Sequence, residues 1–226
     1  MSRVLVIAAH PDDEVLGVGG TVVRHVENGD DVSAIILGEG ITARYRKRQE
    51  TPQTELKLLK AQSEKAGKLL GYSSIWHLGM PDNRLDSIDF LDIVKAIEEI
   101  IFALSPQTIY THFEGDLNID HTITARAVLT ACRPVINHPV KKILAFDTAS
   151  ATGWGFNSNM FSPTLFFDIS KQIEKKIEAM SIYNSEIFEY PHPRSLQALK
   201  NRAAYWGSQV GLTYAEPFQL IRDIRV

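Results

Sequence analysis

The sequence predicts an α/β fold, a mostly parallel sheet covered on both faces by helices, with a C-terminal extension to the sheet. Three observations predict it. Apolar, β-branched runs of strand length alternate with helical repeats through the first two-thirds of the chain. Turn residues punctuate the junctions, and the last third breaks the alternation. Strands separated by helices of this length form right-handed βαβ units, which bury both faces of a parallel sheet.

The elements follow in order. Strands are expected at 3–9, 31–37, 74–79, 108–112 and 142–147, with helices near 15–28, 53–70, 89–104 and 120–132 between them. Asn28-Gly29 and Gly71 follow helical segments, as C-terminal stop signals do. Segment 53–70 places Leu56, Leu59, Ala66, Leu69 and Leu70 on a helical repeat, with Glu and Lys elsewhere. Beyond residue 150 a Gly- and Asn-rich loop (153–159) precedes a strand at 164–169 and helices near 171–184 and 194–209. Repeats, low-complexity tracts and linkers are absent from the sequence, so residues 1–226 are read as one domain.

Composition narrows the function. Hydrophobic residues make up 44% and charged residues 23%, as in ordinary globular proteins. A net charge of −3 argues against nucleic acid as a partner, although Arg44, Arg46, Lys47 and Arg48 could hold one anionic group. The single cysteine, Cys132, excludes a disulfide framework and a cysteine-based zinc site, and its apolar helical context makes it a core residue. The opening apolar run is too short for a signal-peptide core or a membrane span, so a cytoplasmic protein without an integral membrane segment is expected. Phe- and Tyr-containing segment 183–190 suits a subunit contact as well as a core, which leaves a homo-oligomer open.

The chemistry concentrates where the first strand ends. His10-Pro-Asp-Asp-Glu14 packs four titratable side chains into five residues at the carboxyl end of a strand, where α/β sheets bind ligands. His10 and Asp13, three residues apart across the strand–helix junction, read as metal ligands, and Asp12 as the general base. Catalytic zinc takes three protein ligands from His and carboxylate and keeps one position for water. Asp120-His121, opening the helix after the fourth strand, is the best source of the third ligand, with Asp120 available to orient an imidazole. Of the other histidines, His25, His77 and His138 read as caps or surface groups.

Two other readings compete. Gly17-Val-Gly-Gly20 with Glu39 some twenty residues on suggests a dinucleotide site, but its glycines lie inside the helix while the turn carries carboxylates that repel a pyrophosphate. A non-catalytic metal- or sugar-binding protein would have no need of a free Asp12.

Ala9-His-Pro-Asp-Asp-Glu14 after the first strand and Asp120-His121 after the fourth resemble the PIG-L/LmbE family of zinc-dependent N-deacetylases. Supporting resemblances are Thr42-Ala-Arg44, Gly79-Met-Pro-Asp-Asn-Arg84 and His192-Pro-Arg-Ser195. The resemblance implies a Rossmann-like three-layer sandwich, with His10, Asp13 and His121 holding Zn2+ and Asp12 acting on the attacking water. It implies removal of an acetyl or other acyl group from an N-acetylglucosamine-type amino sugar or its conjugate. Two histidines and a carboxylate also suit Fe2+. Arg44 and Arg84 resemble positions lining the substrate side, where a guanidinium recognises phosphate or carboxylate, and Trp154 is placed to stack on a sugar face. The chain departs from the family pattern at Asn118, where many members carry a histidine; Asn118 can donate a hydrogen bond but not a proton. Asp12 can return the proton to the leaving amine, or a separate acid, His112 or His192, supplies it; of the two, His192 is preferred because Tyr190-Pro-His-Pro-Arg194 is a stiff loop.

Overall fold

The computed structural model describes residues 1–154 and 160–225; positions 155–159 of the Gly- and Asn-rich loop lie outside the described residues. The chain runs β1 (Arg3–Ala8), α1 (Asp13–Glu27), β2 (Asp31–Gly38), α2 (Gln53–Leu70) and β3 (Ser74–Met80), then α3 (Phe90–Leu104), β4 (Thr108–His112), α4 (Ile119–Ala131) and β5 (Lys142–Phe146). It ends in β6 (Leu165–Asp168), α5 (Ile173–Ser181), α6 (Leu196–Ser208) and β7 (Ala215–Asp223). Among the described residues these strands form one sheet in the order β3-β2-β1-β4-β5-β7-β6. The first five are parallel, and β7 runs antiparallel to both β5 and β6.

Alternate residues of β1 serve two different cores. Val4 and Val6 pack with Val15, Val18, Val22, Leu59 and Leu70 beneath α1 and α2, while Leu5 and Ile7 pack with Ile93, Ile97, Ile101, Ile123 and Val128 beneath α3 and α4. A strand buried on both faces loses the apolar–polar alternation of a surface strand and reads as an unbroken apolar run. The three layers expected from the sequence follow. No helix among the described residues is long and apolar enough to cross a membrane.

The glycines of α1 are used for packing. A Cβ on Gly17 would stand 2.3 Å from the Phe146 ring, and one on Gly20 would stand 2.8 Å from Ile169. Both distances lie inside van der Waals contact, so the glycines let α1 lie close against the sheet and leave none for a pyrophosphate. Glu39, the acidic partner of the dinucleotide reading, instead accepts two hydrogen bonds from Arg48, at 2.6 and 2.9 Å. Gly17→Ala is expected to destabilise the fold by about 1–3 kcal/mol, the cost of overpacking a close-packed core, read as a lowered denaturant midpoint.

Strand order also creates the cleft. From β1 the chain proceeds outward through β2 to β3, then returns through α3 to place β4 on the other side of β1. The connections at the carboxyl ends of β1 and β4 therefore diverge, opening the crevice in which α/β sheets bind ligands.

Candidate active site

α1 begins at Asp13, two residues earlier than the sequence suggested, so Asp13 and Glu14 occupy its first turn where the helix dipole favours anions. Asp12 stands at the N-cap with φ 107°, a left-handed backbone that is costly for a residue with a side chain, and its carboxylate makes no capping bond. Glu14 takes the Asp12 N–H instead (2.9 Å), and Asp13 Oδ2 takes the His10 N–H (2.9 Å). The strain directs the Asp12 side chain to the cleft, which is lined by His10, Asp12, Arg44, Asp82, Asn118 and Arg194 among others.

His10, Asp13 and His121 each bring one ligand atom to a common point, and all three side chains are buried. His10 Nδ1 and His121 Nε2 each stand 3.3 Å from Asp13 Oδ2. The outer nitrogens face carboxylates: His10 Nε2 lies 3.0 Å from Asp120 Oδ2 and 3.2 Å from Asp82 Oδ1, and His121 Nδ1 lies 3.2 Å from Asp116 Oδ1. A carboxylate accepts, so it holds a proton on the outer nitrogen, and with an ion bound the inner nitrogen would present its lone pair. The residues fit a divalent cation on this observation: the buried Asp13 Oδ1 and the inner nitrogen of His121, Nε2, have no directed hydrogen-bond partner. Such orphaned polar atoms are rare in a closed interior.

Burial depresses the imidazole of His121, but Asp13 and Asp116 outweigh it and lift it to about 9. Burial likewise depresses His10, and Asp120 and Asp13 hold it well above its usual value. Burial raises Asp13, yet His121 and His112 bring it well below the ordinary carboxylate range. Asp12 goes the other way: burial and the neighbouring Asp13 raise it well above that range, against the pull of Arg194.

The two histidines considered as proton donors stand apart from the cleft. His112 accepts the Ala9 N–H at Nε2 (2.9 Å), which fixes its proton on Nδ1 toward Thr148 Oγ1 (3.2 Å). Its ring stacks on His121 at 3.9 Å, and burial and the His121 charge push its pKa well below the ordinary value. His112 thus supports His121 as a neutral ring. His192 packs on Phe188, with ring centroids 4.2 Å apart, and takes the Arg194 N–H at Nδ1 (3.1 Å). It is not among the residues lining the cleft; two residues on, the same turn delivers Arg194 instead, whose Nη1 stands 3.1 Å from Asp12 Oδ2.

Asn118 lines the cleft with its amide engaged at both ends: Oδ1 caps α4 at the Asp120 N–H, and Nδ2 donates to Asn83 Oδ1, each at 2.9 Å. Arg44 also lines it, although its charge meets Glu186. Arg84 and Trp154 are exposed and are not among the lining residues. Sequence reasoning missed Asp82, Asp116, Glu186 and Arg194. The only signal for the last was the His192-Pro-Arg-Ser195 turn, and for Asp116 its place five residues before His121.

Residues 5–132, more than half of the chain, match the family described as PIG-L, GlcNAc-PI de-N-acetylase. The chain belongs to the PIG-L family. It is 28% identical over 232 residues to the diacetylchitobiose deacetylase of Thermococcus kodakarensis, across 99% of this chain and 85% of that protein. Among solved structures, the N,N'-diacetylchitobiose deacetylase of Pyrococcus horikoshii superposes with a TM-score of 0.76 at 20% identity, covering 98% of this chain and 84% of that one. GalB, the 4-carboxy-2-hydroxymuconate hydratase of Pseudomonas putida KT2440, superposes at 0.79 and 18% identity over 100% of this chain and 98% of its own. At such identities the structural likeness shows the fold alone, and the PIG-L fold carries more than one reaction.

Proposed function

We propose that this PIG-L chain is a metal-dependent hydrolase that removes the N-acetyl group of an N-acetylglucosamine-type amino sugar. The convergence of His10, Asp13 and His121 on one point, with Asp12 beside it and outside that group, carries the reading. The named activity of the Thermococcus relative supports it. His10, Asp13 and His121 hold Zn2+, or another divalent metal such as Fe2+. When bound, such an ion acidifies water and polarises an acyl oxygen.

The chain's own groups do the rest. Asp12 Oδ2 takes the proton of the attacking water and returns it to the departing nitrogen. A carboxyl held in that position can serve in both tasks, accepting the proton and then giving it back. Arg194, 3.1 Å away, keeps that carboxylate oriented and limits the rise of its pKa. Asp120 and Asp116 hold the outer ring nitrogens of His10 and His121 and fix the direction of the inner ones. Asn118 retains a second amide hydrogen for the substrate's acyl oxygen while Asn83 holds the first.

The test is acetate release from N,N'-diacetylchitobiose and N-acetylglucosamine by zinc-loaded protein. Release of acetate matched by a free amine supports the reading, and its absence from both sugars at full metal occupancy contradicts it.

A further inference from the structure

Two arginines reach the cleft, and one buried glutamate holds both. Glu186 accepts Arg44 Nη2 at both carboxylate oxygens (2.8 and 2.7 Å) and Arg194 Nη1 at Oε2 (3.2 Å), while Ser185 Oγ donates to Oε1 (3.0 Å). Its side chain is 8% exposed, whereas that of Arg44 is 46% exposed. Arg194 is neutralised a second time by Asp12 at 3.1 Å. An arginine pair on one wall would ordinarily form a fork for phosphate or carboxylate. Here the place of that anion is filled by the protein's own carboxylate.

The opposite side adds negative charge. Asp82 lines the cleft and directs one oxygen to the Ala43 N–H (2.9 Å), tying the loop that carries Arg44 to the metal-site side. A substituent approaching Arg44 and Arg194 therefore meets a wall that is neutral overall, with a fixed carboxylate at its centre. Sugar hydroxyls can donate to that carboxylate. A phosphate or carboxylate would have to displace it, and juxtaposed like charges are among the strongest ways to reject a wrong ligand.

Resting on the amino-sugar reading above, we infer that Glu186 is a specificity-determining residue that restricts the cleft to uncharged amino sugars and glycans. Arg44 serves as its support and not as a receptor for anionic substrates. Removing the charge of Glu186 without changing its shape converts the same wall into an anion site.

The experiment compares neutral and phosphorylated sugars on the zinc-loaded full chain. Binding of glucosamine and glucosamine 6-phosphate by calorimetry, two amines that differ only in the phosphate, gives a readout of the phosphate's effect independent of turnover. The kcat/KM ratio for N-acetylglucosamine and its 6-phosphate gives a second. In the native protein the neutral sugar is favoured by at least about tenfold; Glu186→Gln shifts the phosphate-to-neutral ratio by at least about tenfold toward phosphate. Arg44→Met leaves Glu186 in place and keeps the preference for the neutral sugar, so the native chain and this variant decide the matter if Glu186→Gln fails to fold. A purely structural Glu186 would change both sugars equally and leave the ratio fixed. Equal or tighter binding of the phosphorylated sugar by the native protein, or an unchanged ratio in Glu186→Gln, overturns the inference while the deacetylase reading stands. Failure of both neutral sugars to bind or react overturns the underlying reading, and the inference with it.

Discussion

Asp12→Asn is expected to lower turnover by about 10²- to 10⁴-fold, the usual contribution of a positioned acid–base group, while metal content stays unchanged. Asparagine keeps the shape of Asp12 and tolerates its positive φ, so the variant isolates the proton-transfer role from backbone strain. Asp12 lies outside the group of ligand atoms that converge around Asp13. Steady-state kinetics with metal analysis on the same sample checks the expectation. Loss of metal would mean that Asp12 and Asp13 have exchanged roles, and unchanged turnover would mean that another group moves the proton.

The largest expected effect on stability lies away from the cleft. Lys176 of α5 and Glu216 of β7 form a buried pair at 2.6 Å that reaches into the middle of α1. Lys176 Nζ also donates to the Leu16 carbonyl (2.8 Å), and Glu216 accepts the N–H groups of Gly20 (2.9 Å) and Thr21 (2.6 Å). Lys176→Met leaves Glu216 buried without its cation, and breaking a buried pair from one side costs about 3–5 kcal/mol. That is a large share of the roughly 5–15 kcal/mol by which domains are stable. Urea unfolding should show a clearly lower midpoint with little change in slope. A loss below about 1 kcal/mol would show that water or rearrangement compensates the carboxylate.

The pair also explains why the last third of the chain was the least legible. One strand and two helices were readable from local pattern, but β7 and its insertion between β5 and β6 were not. Antiparallel placement depends on partners dozens of residues away, here Lys142–Phe146 and Leu165–Asp168, which no local periodicity encodes. The parallel part was legible because strands buried on both faces are unbroken apolar runs.

The candidate site divides along the same line. His10, Asp12 and Asp13 were visible because β1 delivers them together, and Asp120-His121 because it opens a helix after β4. Asp82, Asp116, Glu186 and Arg194 come from loops, each as one ordinary charge among 51 Lys, Arg, Asp and Glu residues (24 basic and 27 acidic). Their importance lies in distances: 3.2 Å from His10 for Asp82, 3.2 Å from His121 for Asp116 and 3.1 Å from Asp12 for Arg194. The His192-Pro-Arg194 turn shows the limit. The stiff turn was correctly noticed, but which of its side chains enters the cleft is a matter of two residues. Arg44 illustrates the other limit, since a cation's availability depends on whether a distant Glu186 has already met it.

The measurement closest to the central claim is the metal content of native, Asp12→Asn and His121→Ala protein, by elemental mass spectrometry after loading with zinc and removal of excess. About one ion per chain in the first two and its loss in the third is the expected result. His121→Ala protein that folds and retains a full equivalent of metal would contradict a centre built on His10, Asp13 and His121.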